Sequence, residues 1–489
     1  MTTPITELSA TALAHAIRTG EVTARTVVDA HIDVLERVNP TLNAVVAERF
    51  TAARAEAEAA DRRIAATTDR TTLPPLLGVP CTVKESIAVT GMPNSGGVVA
   101  RAATTVQHTA PVAQRLLDAG AVLLGVTNTS EMCLWIESEN RVYGRTDNPY
   151  RAGHTAGGSS GGEGAAIGCG GSPIGIGSDL VGSIRTPAFC NGVFGHKPSV
   201  GLIPTTDAWP PCHGITARIM VNGPLARRAE DLLPLLRLLA GPDGRDPVAR
   251  AMALGDPDTV DFDGLRVIVP LNAFLRPLAP DLTIARERAA DALRRAGARV
   301  EYRAMPQLRR ALALMLALLS TEVGVTSSEI LAAQGAAPVR WRDLLRRNGP
   351  HTVATRLMLA GERLTALAPT PDTERLLTSL RTFTDTLTTE IGDGVMLLPT
   401  LPGPPPRHGR TVGRPWWIAP AAVFSLAGLP VTQVPLGLGH TGLPLGVQVA
   451  ARPGNDHVTV ATALLLERAH GGWVPPRPPR SPSSTGTAP

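Results

Sequence analysis

Residues 157–164 read Gly-Gly-Ser-Ser-Gly-Gly-Glu-Gly, residues 177–190 read Gly-Ser-Asp-Leu-Val-Gly-Ser-Ile-Arg-Thr-Pro-Ala-Phe-Cys, and residues 195–198 read Gly-His-Lys-Pro. Such a block lets the backbone reach torsions that a Cβ resists, and several chemistries use that freedom. A phosphate-cradling loop needs GxxxxGK[ST], and neither lysine of the chain follows a glycine in that way. A dinucleotide fingerprint begins at Gly175-Ile-Gly177, but Leu180 stands where the last glycine belongs. Gly158 to Gly162 matches GxSxG with Ser160 as an elbow nucleophile; that motif needs a strand directly before it, and Tyr150–Ala156 reads as a poor strand. The SxxK arrangement is absent, because Cys81 stands three residues before Lys84. No HExxH occurs and the histidines are scattered, so no metal site is expected.

Outward from this block, residues 77–84 (LGVPCTVK) read as a short buried strand that ends on a lysine. Residues 112–120 suggest a helix closed by Gly120, and 121–126 a strand. In the first 70 residues Ser9 can cap a short helix. Thr23–Val38 reads as a second helix that stops before Asn39-Pro40, and Ala44–Thr67 as a third. Downstream, helical patterns cover 226–240 and 281–297, with a strand at 265–270 between them, and helices fill most of 305–391. A strand at 396–399, a Pro/Gly loop through Pro415, closing strands over 423–452 and a helix at 458–470 follow. Strands alternating with helices predict an α/β/α fold with a mixed, mainly parallel sheet covered on both faces. No linker interrupts residues 70–470, so residues 1–474 are expected to form one domain, with a disordered tail from Pro475.

The 489 residues are 43% hydrophobic and 18% charged, which excludes a disordered or fibrous chain. A formal charge of +5 without a long basic run disfavours nucleic-acid binding. Only Lys84 and Lys197 are lysines, and the other 45 basic residues are arginines. Arginine cannot accept a proton near neutral pH, whereas a desolvated lysine can, so both lysines are candidates for a base. Five cysteines without a CxxC pair, and an N-terminus without an apolar leader, predict a cytoplasmic protein with reduced thiols. The most apolar run, Ala311–Leu319, is nine residues long, against about 20 for a membrane span. It is expected in the core, and membrane association is disfavoured.

The segments 157–164, 177–190 and 195–198 together resemble the amidase signature. Residues 78–84 resemble that family's lysine segment. Thr127-Asn128, Glu139-Asn140, Gly144 and Asn148-Pro149 fit the stretch leading into the signature, and residues 424–430 and 442–450 fit its closing segments. The resemblance covers roughly residues 5–473. Through Trp135–Tyr150, Asn191–Ser199 and Asn455–Trp473 it is nearest to the fatty acid amide hydrolase branch.

That resemblance implies a serine amidohydrolase with a Ser–cis-Ser–Lys triad. Ser183 would be the nucleophile, Ser159 the bridging serine after a cis peptide bond, and Lys84 the base. It places the oxyanion hole at the N–H groups of Leu180, Val181, Gly182 and Ser183, with Val181 standing where many members carry glycine. Ser160 and Ser178 would support the triad, Asp179 and Arg185 would pair to shape the loop, and Lys197 would be structural. Met132, Cys133, Trp135 and Ile136 would line the acyl pocket; Trp416 and Trp417 are weaker candidates for a gate. The substrate class implied is a small hydrophobic N-acyl amide, without a cofactor, and the chain is compatible with a homodimer. An acyltransferase or cyclase would share the acyl-enzyme and stays open, as does a glutaminase subunit of a transamidosome-type complex.

Overall fold

The structure, a computed structural model, describes residues 3–274, 276–321, 326–336, 338–339, 349–365 and 373–476. Eleven strands form one sheet: β1 (Val45–Glu48), β2 (Pro80–Lys84), β3 (Val122–Thr127), β4 (Ile174–Asp179), β5 (Phe194–Lys197), β6 (Val221–Ala226), β7 (Arg266–Leu271), β8 (Arg299–Ala304), β9 (Val395–Leu398), β10 (Val431–Leu438) and β11 (Pro444–Ala450). Their order across the sheet is β1-β3-β2-β4-β6-β5-β10-β11-β9-β7-β8.

The sheet is mixed, as expected, but it is not mainly parallel. Four pairings are parallel, β2 with β3 and β4 on one wing and β7 with β8 and β9 on the other. The six pairings through the centre and at the β1 edge are antiparallel. For one of these pairs the connection dictates the direction. A parallel neighbour needs a long crossover, whereas the five residues 439–443 between β10 and β11 can only turn the chain back on itself.

The helices flank this sheet. Ser9 Oγ accepts from Ala12 N at the start of Ala10–Thr19, as the sequence suggested. The second helix spans Ala24–Leu42 and runs through Pro40 rather than stopping before it. Pro40 sits in the last turn, where the hydrogen bond it cannot make would go to the carbonyl of exposed Glu36. The expected third helix begins late: Val45–Glu48 is the edge strand β1, paired with β3, and the helix is Phe50–Ala66. Likewise residues 419–426 are helical, so the closing strands begin only at Val431. Helices do occupy much of 305–391, including Ala311–Thr321, Val353–Thr365 and Thr373–Ile391; the parts at 322–325, 337, 340–348 and 366–372 lie outside the described residues, as does the expected tail from residue 477.

Two large apolar clusters hold the layers together. One joins the N-terminal helices to β2, β3 and the helix Pro280–Arg295. The other packs Leu314, Met315 and Leu318 of Ala311–Thr321 against Phe424 and β9, which places one face of the most apolar run in the core, while Leu316 on its other face stays exposed. Among the described residues no helix is long and apolar enough to cross a membrane.

Candidate active site

Lys84 is the last residue of β2 and is fully buried. The strand pairs in parallel with β4, which brings Ser178 to the same end of the sheet. Lys84 Nζ donates to Ser159 Oγ at 2.6 Å and to Ser178 Oγ at 2.9 Å. Ser159 lies on the loop before the helix Gly161–Gly168, and the Gly158–Ser159 peptide bond is cis. The loop threads close to the chain at 135–138: a Cβ on Gly158 would stand 2.6 Å from the Trp135 carbonyl oxygen, so only glycine fits. Ser138 Oγ donates to the Ser159 carbonyl at 3.0 Å and accepts from Gly161 N at 2.8 Å, fixing the loop from its other side.

Ser183 follows β4 on the turn into Arg185–Cys190. Its carbonyl accepts from Ser160 N at 3.2 Å, so the two serine-bearing loops are joined through backbone. Ser159 and Ser183 border the same cavity, but their hydroxyls form no hydrogen bond with each other in this resting arrangement. Ser160 is buried and its Oγ reaches the Ser178 carbonyl at 3.4 Å. Residues Arg151–Thr155 do form a strand, contrary to the sequence reading. They pair with Asp147–Asn148 in a separate two-stranded ribbon, with a further bridge from His154 to Arg407, and not with the main sheet, so Ser160 is not raised on a turn at the end of a main-sheet strand.

Asp179 and Arg185 form a buried pair, with Arg185 Nε 3.0 Å from Asp179 Oδ2. Arg185 also donates to Gln448 Oε1 at 2.6 Å and Ser425 Oγ at 2.7 Å. Burial opposes the Asp179 charge, yet the Arg185 guanidinium holds its carboxyl at about 2. Asp179 Oδ1 accepts from Gly182 N at 2.6 Å. The Gly182 N–H is thereby committed, and of the four expected oxyanion donors Leu180, Val181 and Ser183 are left without an acceptor among the described residues. Val181 packs against the apolar cluster of Ala311–Thr321.

Burial drives the Lys84 ammonium below the ordinary lysine range, while Cys133, Asp179 and Glu163 pull it part of the way back. The amine is thus poised toward its neutral form, with two hydroxyls in reach. Lys197 is equally buried but bonds backbone carbonyls, Leu429 O at 3.0 Å and Pro198 O at 3.5 Å.

The cavity in front of the serines has a volume of about 520 Å³. Met132, Cys133, Trp135 and Ile136 all line it. Leu316 and Leu319 come from Ala311–Thr321, Leu357 and Met358 from Val353–Thr365, and Val412 to Pro415 from the Pro/Gly loop. Trp416 and Trp417 do not line it; Trp416 stacks under Arg276, whose guanidinium carbon is 4.2 Å from the ring centre. Three buried acids that the sequence reading did not single out frame this region. Glu131 accepts from His351 at 2.6 Å and from Thr352 N at 2.8 Å, and so ties the cavity wall to the helical insertion. Glu137 accepts from Gly409 N at 2.7 Å and from Thr411. Glu163 accepts from Thr82 and, at 2.7 Å, from Thr127 Oγ1. Only Glu163 has a sequence signal, an acidic residue inside a glycine- and alanine-rich run.

Comparison with known proteins agrees with this geometry. The family model described as Amidase matches residues 26–460. The chain is 40% identical to Fatty-acid amide hydrolase 2-B of Danio rerio over 97% of its own length and 92% of that protein. It is 38% identical to Fatty-acid amide hydrolase 2 of Homo sapiens over 97% and 91%. The solved structure of 6-aminohexanoate cyclic dimer hydrolase complexed with substrate superposes with a TM-score of 0.81 at 26% identity, covering 95% of this chain and 97% of the other. A family match across most of the chain, together with the shared α/β architecture, shows that this protein belongs to the Amidase family, among the amidase signature enzymes, and is a serine amidase.

Proposed function

We propose that the protein hydrolyses hydrophobic N-acyl amides through an acyl ester on Ser183. One observation carries this reading: Ser183 and Ser159, the latter bonded to the buried Lys84 amine, open onto a single cavity whose walls are chiefly apolar. The names of the fatty-acid amide hydrolase relatives support the same substrate class. A serine hydroxyl is a weak nucleophile until a neighbouring base takes its proton. Ser183 Oγ attacks the carboxamide carbon while its proton passes to Ser159 and the Ser159 proton passes to Lys84 Nζ. Resting hydrogen bonds of this kind are often open and close when substrate binds. The N–H groups of Leu180, Val181 and Ser183 meet the oxygen as it gains charge, each such donor contributing about 3 kcal/mol to barrier lowering. Collapse returns the Lys84 proton through Ser159 to the departing amine, because an amide anion leaves poorly. Water then repeats the attack on the ester. The five unpaired cysteines support the cytoplasmic setting.

A fluorophosphonate probe tests this directly. It should label the wild-type chain on Ser183, and Ser183→Ala should abolish labelling. A label found on Ser160 would overturn the assignment.

A further inference from the structure

Glu163 is the least explained charged group near the site. It is fully buried on the helix Gly161–Gly168, among glycine, alanine and isoleucine, and no cation bonds it. Its two oxygens are each held by a threonine hydroxyl: Oε1 accepts from Thr82 and Oε2 from Thr127 Oγ1 at 2.7 Å. Thr82 and Lys84 are alternate residues of β2, so both side chains leave the same face of the strand, about 7 Å apart. The fold also makes room for this carboxyl. A Cβ on Gly175, the β4 residue paired with Thr82, would stand 1.6 Å from Glu163 Oε1. A buried acid so carefully seated and left without a cation at contact distance needs a counter-charge from farther away.

We propose that Glu163 is a positioning residue for the base: its carboxylate, anchored by Thr82 and Thr127, faces the ammonium that forms on Lys84 when the relayed proton arrives, and so sets how basic that amine is. This rests on the reading of Lys84 as the base. Cys133 and Asp179 also raise the Lys84 proton affinity, but every other group around the amine has a partner of its own. Asp179, at the end of β4, shares its charge with the Arg185 guanidinium 3.0 Å away. Cys133, on the loop before the signature, presents a thiol bonded to Thr129 Oγ1 at 3.3 Å. Glu85, next in sequence, spends its carboxylate on Ser95, Gly96 N and Tyr143. Burial pushes the Glu163 carboxyl up to about 7, against its threonine bonds and the Lys84 charge, so its ionisation falls in the working range and its titration is linked to that of Lys84.

The test follows the rate of fluorophosphonate labelling of the full chain between about pH 5 and 10, which requires no knowledge of the substrate. One charge at such a distance moves a neighbour's proton affinity by about one pH unit or slightly more. Glu163→Gln should therefore move the acid limb of the labelling rate down by about one pH unit and lower the plateau roughly tenfold, since a less basic amine is a poorer proton acceptor. Glu163→Asp, which keeps the charge, should leave the limb close to the wild type. Thr82→Val keeps the strand but removes one donor, and should move the limb in the same direction as Glu163→Gln by a smaller amount; it carries the test if Glu163→Gln does not fold. A limb that stays in place in a folded Glu163→Gln or Thr82→Val chain, or moves to higher pH, overturns the proposal. A wild-type chain that takes no label on Ser183 overturns the underlying catalytic reading instead, so the two failures are distinct.

Discussion

The two lysines of this chain end two strands of one sheet, both fully buried, yet their surroundings differ in kind. Lys84 closes β2 and points its amine at two serine hydroxyls beside an open cavity. Lys197 closes β5 and gives its amine to backbone carbonyls, away from the residues that line that cavity. Burial lowers the proton affinity of both; for Lys197 burial, with Arg185 adding to it, brings the value to about 7. A depressed lysine is therefore not yet a base. What separates the two is whether the amine can pass a proton to something that can itself react.

The sharpest way to break this contrast is Lys84→Arg. It keeps the charge and removes the ability to take a proton, so fluorophosphonate labelling should slow by about three orders of magnitude or more. A near-normal rate would make Lys84 as structural as Lys197. Asp179→Asn is the next largest change. Asp179 holds the proton affinity of both lysines up and is the counter-charge of Arg185, so its loss leaves a buried guanidinium hydrogen-bonded but without a carboxylate. Denaturant unfolding should show a loss of about 3–5 kcal/mol.

Lys197→Met should leave the labelling rate within about twofold and, above pH 10.5 where the lysine is neutral whether folded or unfolded, cost no more than about 2 kcal/mol of stability through the orphaned Leu429 carbonyl. It should also change the pH profile of stability. Between about 7 and the ordinary lysine value of 10.5 the unfolded chain holds a proton that the folded chain lacks, so stability from this group rises with pH across that window and is reduced below it. Melting temperatures measured from pH 7 to 10 should lose this rise in Lys197→Met; an unchanged slope would remove Lys197 as its source. The smallest effect expected is from Ser178→Ala, which deletes one of the two hydroxyls on Lys84. Losing one such bond is worth about 1 kcal/mol, or roughly fivefold in labelling rate.

The site was far more legible in the sequence than the sheet that carries it. Lys84 at the end of an apolar run and two serines in glycine-rich turns are local patterns, and they meet as expected apart from the open Ser159–Ser183 link. Strand β4 was invisible because Ile174–Asp179 carries Gly175 and Gly177, residues that weaken a strand and here leave space for Glu163 and Ser160. Strand β1 was hidden at the front of an alanine-rich window, where pairing with β3 overrides helix propensity. The occupation of the Gly182 N–H by Asp179 could not be read at all, since it depends on which way a carboxylate turns at the head of a five-residue loop.

One further consequence follows from where the cavity walls come from. The proposed reacting groups lie within residues 84–183, whereas Leu316, Leu319, Leu357, Met358 and Val412 reach the cavity from segments more than a hundred residues further along the chain. Those segments meet the core through contacts such as His351 with Glu131 and Thr411 with Glu137, not through the proton relay. Evolution can therefore recut the wall, by substitution or insertion in the helical region, without disturbing the relay beneath it. Two enzymes of this architecture can share their chemistry and still differ entirely in diet.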